Sequence, residues 1–231
     1  MIATGGTEST CGDFKYHKFT GPGTFTVTDA GTAAGSNTLT YLVVGGGGTG
    51  GNRRAGGGGA GGLRTITCET ANKQAYPVTV GGGGASVAGP ETGSGDLAGN
   101  PGNNSVFSGT TSNGGGGGGQ ACGVGSNGGS GGGSSRHTNS NVGGTATQPS
   151  SDAGGLGNNG GNTGPTNTNP GGGGGAGKGP DNASEVITGP CFGCGSMKHK
   201  MVMNIMSSTD AKTAREPGLC NKHAKRAEGA G

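Results

Sequence analysis

The chain has 231 residues, of which 63 are glycine and only 26% are hydrophobic, and it contains no tryptophan. This composition excludes a conventional side-chain core along the whole chain, and glycines that come in blocks exclude the strict repeat of a collagen triple helix. The formal net charge of +3 is small, and we expect no nucleic-acid partner.

Alternating apolar residues near the N-terminus predict the first two β-strands, at 13–20 and 24–28. The second strand places Phe25 and Val27 on one face. A Gly-Pro-Gly turn at 21–23 separates the two strands, so they are predicted to form a hairpin. Residues 1–12 are small and polar, which indicates a frayed or docked arm.

The strongest strand pattern is 38–44, which alternates at its start and is continuously apolar at its end, as in a strand buried on both faces. It runs directly into the glycine block 45–48. Further strands are predicted at 63–67, 76–80 and 104–107. Pro77 indicates an edge position for its strand, because proline has no N–H to donate to a neighbouring strand.

Between residues 81 and 189, glycine blocks alternate with segments rich in Asn, Ser and Thr. Each ordered glycine costs about 0.5–1 kcal/mol relative to alanine, so this region is either a flexible linker or an arrangement that offsets the cost repetitively. Polyglycine II rods, the glycine counterpart of polyproline II, can pair their backbone groups with neighbouring rods. Interspersed residues such as Leu97, Phe107 and Leu156 favour the ordered arrangement.

The last part of the chain has a different character. Four apolar residues are spaced nearly as on one face of a helix, which predicts a short helical or irregular tail. They are Met197, Met201, Ile205 and Met206. The tail is basic, which fits either an acidic surface or a solvated segment. The fold class is therefore mainly β and irregular, with a small antiparallel β-region at 1–82, a bundle of polyglycine II helices at 83–189 and a basic Cys/His-containing tail at 190–231.

A possible zinc site lies in this tail. It is made by Cys191, Cys194, Cys220 and His223. Thiolates and imidazole are the preferred zinc ligands, and paired spacing allows each pair to reach one ion. Free thiols or a disulfide are the alternative. The other cysteines, Cys11, Cys68 and Cys122, are expected to be reduced because no signal peptide is visible, although an extracellular location would permit oxidation.

No motif predicts catalysis, so we expect no enzyme and no cofactor beyond the possible zinc. Residues 172–178 mimic a phosphate-binding loop, but Gly179 stands where Ser or Thr is required, and no apolar strand precedes the loop. His17, between Lys15 and Lys18, is predicted to be an exposed strand residue. It has no carboxylate and nucleophile close in sequence.

Several motifs in order carry a family likeness. They are Thr4-Gly5-Gly6-Thr7, Gly12-Asp13-Phe14-Lys15-Tyr16-His17-Lys18-Phe19-Thr20, Gly23-Thr24-Phe25-Thr26-Val27, Tyr41-Leu42-Val43-Val44-Gly45-Gly46-Gly47-Gly48, Gly56-Gly57-Gly58-Gly59-Ala60-Gly61-Gly62-Leu63-Arg64-Thr65, Tyr76-Pro77-Val78-Thr79-Val80-Gly81 and Asn104-Ser105-Val106-Phe107. Together they resemble the glycine-rich domain of bacteriophage tail-fibre and virion-appendage proteins, over residues 3–177. Residues 178–231 depart from the pattern. The resemblance implies a small β-region, packed polyglycine II helices, and loops that contact a host surface.

The resemblance therefore predicts a non-enzymatic virion structural protein, made in the host cytoplasm and located in the virion as a tail-fibre, fibre-tip or head-appendage component. The expected partners are other virion or fibre proteins, further copies of the chain, and a host surface glycan or outer-membrane protein. The candidate receptor-binding residues are Asn52, Arg53, Arg54, Arg136, His137 and Asn139. No apolar run reaches transmembrane length, so no membrane insertion is expected.

Two other functions remain open at this stage. The first is a self-assembling extracellular filament, in which the strand edges of 39–44 and 76–80 pair between copies. The second is an ice-binding glycine-rich bundle, which would need a flat and regular face. No regular threonine array is present to form such a face.

Overall fold

The computed structural model describes residues 1–11, 14–31, 37–88, 96–136, 142–148, 155–163, 169–176 and 203–208. Every regular element in these residues is a β-strand, which confirms the prediction of a mainly β protein with antiparallel sheets. Within the same residues, no helix has the length and apolar character needed to cross a membrane.

The strands fall into two antiparallel sheets. In chain order they are β1 (Ile2–Thr4), β2 (Thr7–Cys11), β3 (Phe14–Phe19), β4 (Gly23–Asp29), β5 (Thr38–Val44), β6 (Leu63–Thr70), β7 (Ala75–Thr79), β8 (Ser105–Phe107), β9 (Thr110–Ser112), β10 (Gly155–Leu156) and β11 (Met203–Ser208). One sheet has the order β1-β4-β7-β8-β9, and the other has the order β10-β6-β5-β11-β3-β2.

Aromatic rings fill the space between the two sheets. Tyr41 of β5 and Phe107 of β8 meet edge to face with ring centroids 4.9 Å apart, and Phe25 of β4 meets Phe107 at 6.0 Å. All three side chains are fully or almost fully buried. Because strand side chains alternate between faces, Leu39 and Val43 join Tyr41 on the buried face of β5. The sheets therefore form a β-sandwich around one aromatic and aliphatic core.

Two local predictions about the strands need correction. The strands at 13–20 and 24–28 exist as β3 and β4, but they lie in different sheets and form no hairpin, because the turn between them carries the chain across the sandwich. Pro77 lies in β7, which is an inner strand between β4 and β8. It is tolerated there because β8 pairs only with Val78 and Thr79 and ends before reaching it.

The sandwich also contains strands that come after residue 82 in the sequence. β8 and β9 extend one sheet, and β11 lies between β3 and β5 in the other. Residues 203–208 are thus a strand where helical spacing predicted a helix, and the rest of the tail lies outside the described residues. Both β5 and β7 are paired on each side, so the edges invoked for a filament are already occupied.

The glycine segments that leave the strands are extended, are not part of either sheet, and bond to one another at three-residue steps. Segment 45–51 lies antiparallel to segment 56–62. The N–H donors and C=O acceptors are Gly45 to Gly62 at 2.8 Å, Gly48 to Gly59 at 2.8 Å, and Gly51 to Gly56 at 3.2 Å.

The residue that follows each of these donors bonds to a different neighbouring segment. Those pairs are Gly46 to Asn103 at 2.8 Å, Thr49 to Asn100 at 2.9 Å, and Asn52 to Leu97 at 3.1 Å. Segment 45–51 therefore presents its backbone groups to different neighbours in turn, and it is held from several sides.

Segment 114–119 occupies the centre of this arrangement, and all six of its glycines are buried. It exchanges backbone hydrogen bonds with the segments 45–51, 56–62, 97–103, 123–129 and 129–135. Buried N–H and C=O groups are costly without partners, so this network is what allows a glycine segment to lie inside a protein.

Steric contact explains why the segments are glycine. An alanine Cβ at Gly117 would lie 1.9 Å from the Gly99 carbonyl oxygen, and one at Gly115 would lie 2.1 Å from that of Gly59. Neighbouring backbones have taken the space in which a side chain would stand. The glycine region therefore has a core made of backbone atoms, next to the sandwich core made of side chains.

The segments run out from the sandwich and back again. Segment 45–51 starts at the end of β5, and segment 56–62 returns to the start of β6. The same path is repeated by 113–119 with 123–129, and by 129–135 with 142–148. We call the sandwich side of the glycine region the base and the opposite end, where these segments turn, the tip.

Candidate functional site at the tip

The predicted residues Asn52, Arg53 and Arg54 form the turn at the tip between segments 45–51 and 56–62. The turn is tight, since Gly51 donates its N–H to the Gly56 carbonyl oxygen at 3.2 Å. Arg53 has a φ of 60°, in the left-handed region that non-glycine residues seldom occupy. Both arginines are exposed at this end of the molecule.

Arg136 reaches the same place from another part of the sequence. Its N–H donates to the Arg54 carbonyl oxygen at 3.0 Å, and its own carbonyl accepts from the Cys122 N–H at 3.3 Å. The out-and-back path of the glycine segments causes this convergence, because segment 129–135 ends at the tip. Two loops predicted separately from the sequence therefore make one surface.

Asp96 and Leu97 border this surface on the side of Asn52. The Asn52 N–H donates to the Leu97 carbonyl oxygen at 3.1 Å, and the Asn52 side-chain oxygen accepts from the Leu97 N–H. The Arg53 Nε lies 3.7 Å from a carboxylate oxygen of Asp96. These bonds fix the turn at 52–55 against the start of segment 97–103.

Apolar side chains are exposed beside the arginines. Leu97, Val124 and Val142 have exposed fractions of 42%, 55% and 51%. Val142 joins the segment of Val124 through a hydrogen bond from the Gly125 N–H, at 3.4 Å. The tip surface, defined by Arg53, Arg54, Asp96, Leu97, Val124, Arg136 and Val142, is therefore both charged and apolar.

Charge in the described glycine region is confined to this end. The described residues of 45–62, 81–88, 96–103, 113–136, 142–148, 155–163 and 169–176 include four charged side chains, which are Arg53, Arg54, Asp96 and Arg136. The described residues between the tip and the base are neutral. Among the described residues of the tip, three positive charges stand against one negative charge.

Side-chain hydroxyl groups form buried hydrogen bonds next to the tip, on the side that faces the base. Ser135 donates its hydroxyl to the Gly123 carbonyl oxygen at 2.9 Å and accepts from the Gly123 N–H at 3.0 Å. The hydroxyls of Ser134 and Thr163 bond to each other at 2.7 Å, and both residues are buried. The chain before Arg136 is thus tied to two neighbouring segments.

The remaining predicted site residues lie outside the described residues. His137 and Asn139 fall in the connection 137–141, which is not described, and the same holds for Cys191, Cys194, Cys220 and His223. The described residues contain no group of three or more His, Cys, Asp or Glu side chains that could hold a metal ion.

At Cys68 the structure differs from the expectation of reduced thiols. Cys68 in β6 is disulfide-bonded. Cys122 is a free and exposed thiol, next to Arg136 at the tip. The prediction that Cys68 is reduced, which was based on the lack of a visible signal peptide, is therefore wrong.

His17 was predicted to be exposed, and this prediction is wrong. Its side chain is fully buried in the sandwich, where its ring meets Phe25 edge to face at 5.0 Å. Nδ1 lies 2.9 Å from the Gly5 carbonyl oxygen, while Nε2 is buried without a hydrogen-bond partner. Burial lowers the pKa of His17, because the charged imidazolium loses its solvation there.

The predicted receptor-binding residues did not include Asp96, Leu97, Val124 and Val142, which complete the tip surface. The available signal was the path of the chain. Each segment that leaves a strand for the tip must turn before it can return to the next strand, so alternate connections gather at one end.

Together, a β-sandwich and hydrogen-bonded glycine segments define a glycine-rich domain. A family model described as a glycine-rich domain matches residues 20–229, and the chain belongs to that family. The match extends through the tail, which departs from the motif pattern of the N-terminal part. Comparisons with curated proteins and with solved structures gave no significant match.

Proposed function

We propose that the protein is a non-enzymatic virion component of the tail-fibre, fibre-tip or head-appendage type, which presents loops for attachment to a host surface. The observation that supports this most is the tip surface. Connections that are far apart in sequence meet there, at the end opposite the sandwich, and all the charged side chains of the described glycine region lie there.

We further propose that the glycine segments are polyglycine II helices packed in a bundle. Support comes from the three-residue step of the hydrogen bonds, because this helix has three residues per turn. At a rise of about 3.1 Å per residue, a seven-residue segment would hold the tip about 22 Å from the sandwich.

Attachment through such a tip depends on rigidity. Loops that are ordered before binding lose less conformational entropy when they meet a receptor. The backbone bond between Arg54 and Arg136 and the buried hydroxyls of Ser134 and Thr163 favour such order. The sandwich would anchor the protein to other virion proteins or to further copies, and the exposed Ile2 and Phe14 are available at that end.

Antibodies against the two ends of the protein test this proposal. Gold-labelled antibody against the turn 52–55 should decorate an appendage of intact virions and should block their adsorption to host cells. Antibody against β2 should fail to block adsorption. Virions that carry the chain but adsorb equally well with either antibody would contradict the proposal.

A further inference from the structure

We propose that the tip surface binds anionic groups of a host surface glycan, carried as phosphate or carboxylate. This inference rests on the proposed attachment function and specifies the chemistry of its receptor. The geometry that points to it is the meeting of Arg53, Arg54 and Arg136 from two separate loops.

Charge is the first argument. The described residues of the tip carry three guanidinium groups and one carboxylate, that of Asp96, which lies near Arg53. The glycine segments behind them are neutral, so the described glycine region offers an anion no competing attractive site. A positive patch on a neutral support raises the local concentration of negative ligands and speeds their association.

The residue type is the second argument. Arginine presents a planar fork of donors that matches phosphate and carboxylate oxygens, and its charge persists at any physiological pH. Here the backbones that carry the forks are fixed to each other. Arg136 donates to the Arg54 carbonyl oxygen at 3.0 Å, and Arg53 is held in a left-handed turn with its Nε 3.7 Å from Asp96.

The exposed apolar side chains are the third argument, and they favour a glycan over a small free anion. Leu97, Val124 and Val142 stand beside the arginines with about half of each side chain exposed. Sugar rings have apolar C–H faces as well as polar edges. An anionic polysaccharide would therefore cover the apolar residues while its charges meet the arginines, whereas inorganic phosphate would leave them exposed.

The test measures binding of the full chain to defined polysaccharides. Phosphomannan and polygalacturonate are the anionic probes, and neutral mannan and methyl-esterified polygalacturonate are their uncharged counterparts. The anionic probes should bind, the neutral ones should not, and binding should weaken as salt rises from about 50 to 300 mM. A preference between the two anionic probes identifies phosphate or carboxylate as the group recognised.

Matched variants locate the site. Arg54→Gln with Arg136→Gln removes two positive charges at the tip, and Lys18→Gln with Lys73→Gln removes two exposed charges from the sandwich. The tip variant should lose at least about tenfold in affinity, because charge-assisted hydrogen bonds to phosphate or carboxylate are stronger than neutral ones. The sandwich variant should change by less than about twofold, and unfolding midpoints confirm that both variants fold.

Equal losses in the two variants would overturn the inference, because they would indicate attraction to overall charge. Equal binding of anionic and neutral probes would also overturn it. In either case, virions whose adsorption is still blocked by antibody against the turn 52–55 would leave the attachment function standing. Loss of that antibody effect would remove the attachment function itself.

Discussion

Two adjacent glycines, Gly46 and Gly47, show at the scale of single residues what the glycine region requires. A Cβ on Gly46 would lie 2.1 Å from the Gly82 carbonyl oxygen, a distance that no real side chain reaches. A Cβ on Gly47 would have its nearest neighbour at 3.8 Å, an ordinary contact distance. Packing thus forces glycine at the first position and permits alanine at the second.

Gly46→Ala and Gly47→Ala should therefore differ sharply in stability. Gly46→Ala should lower the free energy of unfolding by about 1–3 kcal/mol or more, because overpacking displaces backbone atoms. Gly47→Ala should be neutral or stabilising by up to about 1 kcal/mol, since it only reduces the freedom of the unfolded chain. Urea unfolding measures both, and equal effects of the two variants would indicate a flexible linker.

His17 gives the sandwich a dependence on pH. Burial keeps the folded pKa of His17 below its ordinary value near 6.5, so the folded state binds fewer protons than the unfolded state. The contribution of the neutral ring is present above pH 6.5 and is lost as the pH falls below that value.

The free energy of unfolding should therefore fall between pH 7 and pH 5, by up to about 1.4 kcal/mol per pH unit from this group. His17→Phe should remove this part of the slope, while Lys18→Gln, at an exposed neighbour, should retain it. Denaturant unfolding at a series of pH values makes the comparison. The same slope in all three proteins would exclude His17 as its source.

At the scale of the secondary-structure elements, the strands β3 to β8 could be predicted because their apolar residues alternate or run together. The strands β2 and β9 are short and polar, and β1 has only three residues, so none of them carries a strong strand pattern of its own. Each is held by the strand that it pairs with, which is β3 for β2, β8 for β9 and β4 for β1. Local signals also failed at the turn 21–23, because a turn does not indicate which sheet receives the next strand. The burial of His17 was hidden by its charged neighbours Lys15 and Lys18.

A polar link between the sheets is formed by Tyr41, Glu69 and Thr110. The Tyr41 hydroxyl donates to the Glu69 carboxylate and lies 3.0 Å from the Thr110 hydroxyl, which joins β5 and β6 to β9. Burial, together with the bond to Glu69, raises the pKa of Tyr41 well above its ordinary value. The phenol therefore stays protonated and can keep donating this bond.

Tyr41→Phe should destabilise the fold by about 1–3 kcal/mol, because it leaves buried partners of the hydroxyl without their bond. Tyr76→Phe is the control, since the Tyr76 hydroxyl bonds only to the nearby Asn72 backbone within one strand connection. Thermal and urea unfolding compare the two. A larger loss in Tyr76→Phe would show that the polar link between the sheets contributes little.

At the scale of the whole molecule, the loops at 52–54 and 136 could be predicted as polar, but their meeting could not. Their meeting depends on the number of residues in each glycine segment between base and tip, and on which segments pair with each other. The pairing is made by backbone hydrogen bonds. Because any glycine can make such bonds, the sequence carries little information about the pairing. Leu97 favoured an ordered arrangement, but its common location with the exposed Val124 and Val142 emerged only from the fold.

In this structure the glycine region is an ordered body that holds the tip loops in fixed positions. Amide hydrogen exchange, followed by NMR at single residues, tests this most directly. The amides of Gly115, Gly116 and Gly118, in the central segment, donate hydrogen bonds to neighbouring segments, with N···O distances of 2.6, 2.9 and 2.9 Å. They should exchange as slowly as core amides of β5, while exposed Gly172 should exchange rapidly. Exchange of all these glycine amides at the rate of an unfolded chain, in a protein whose sandwich is protected, would show that the glycine region is a flexible chain.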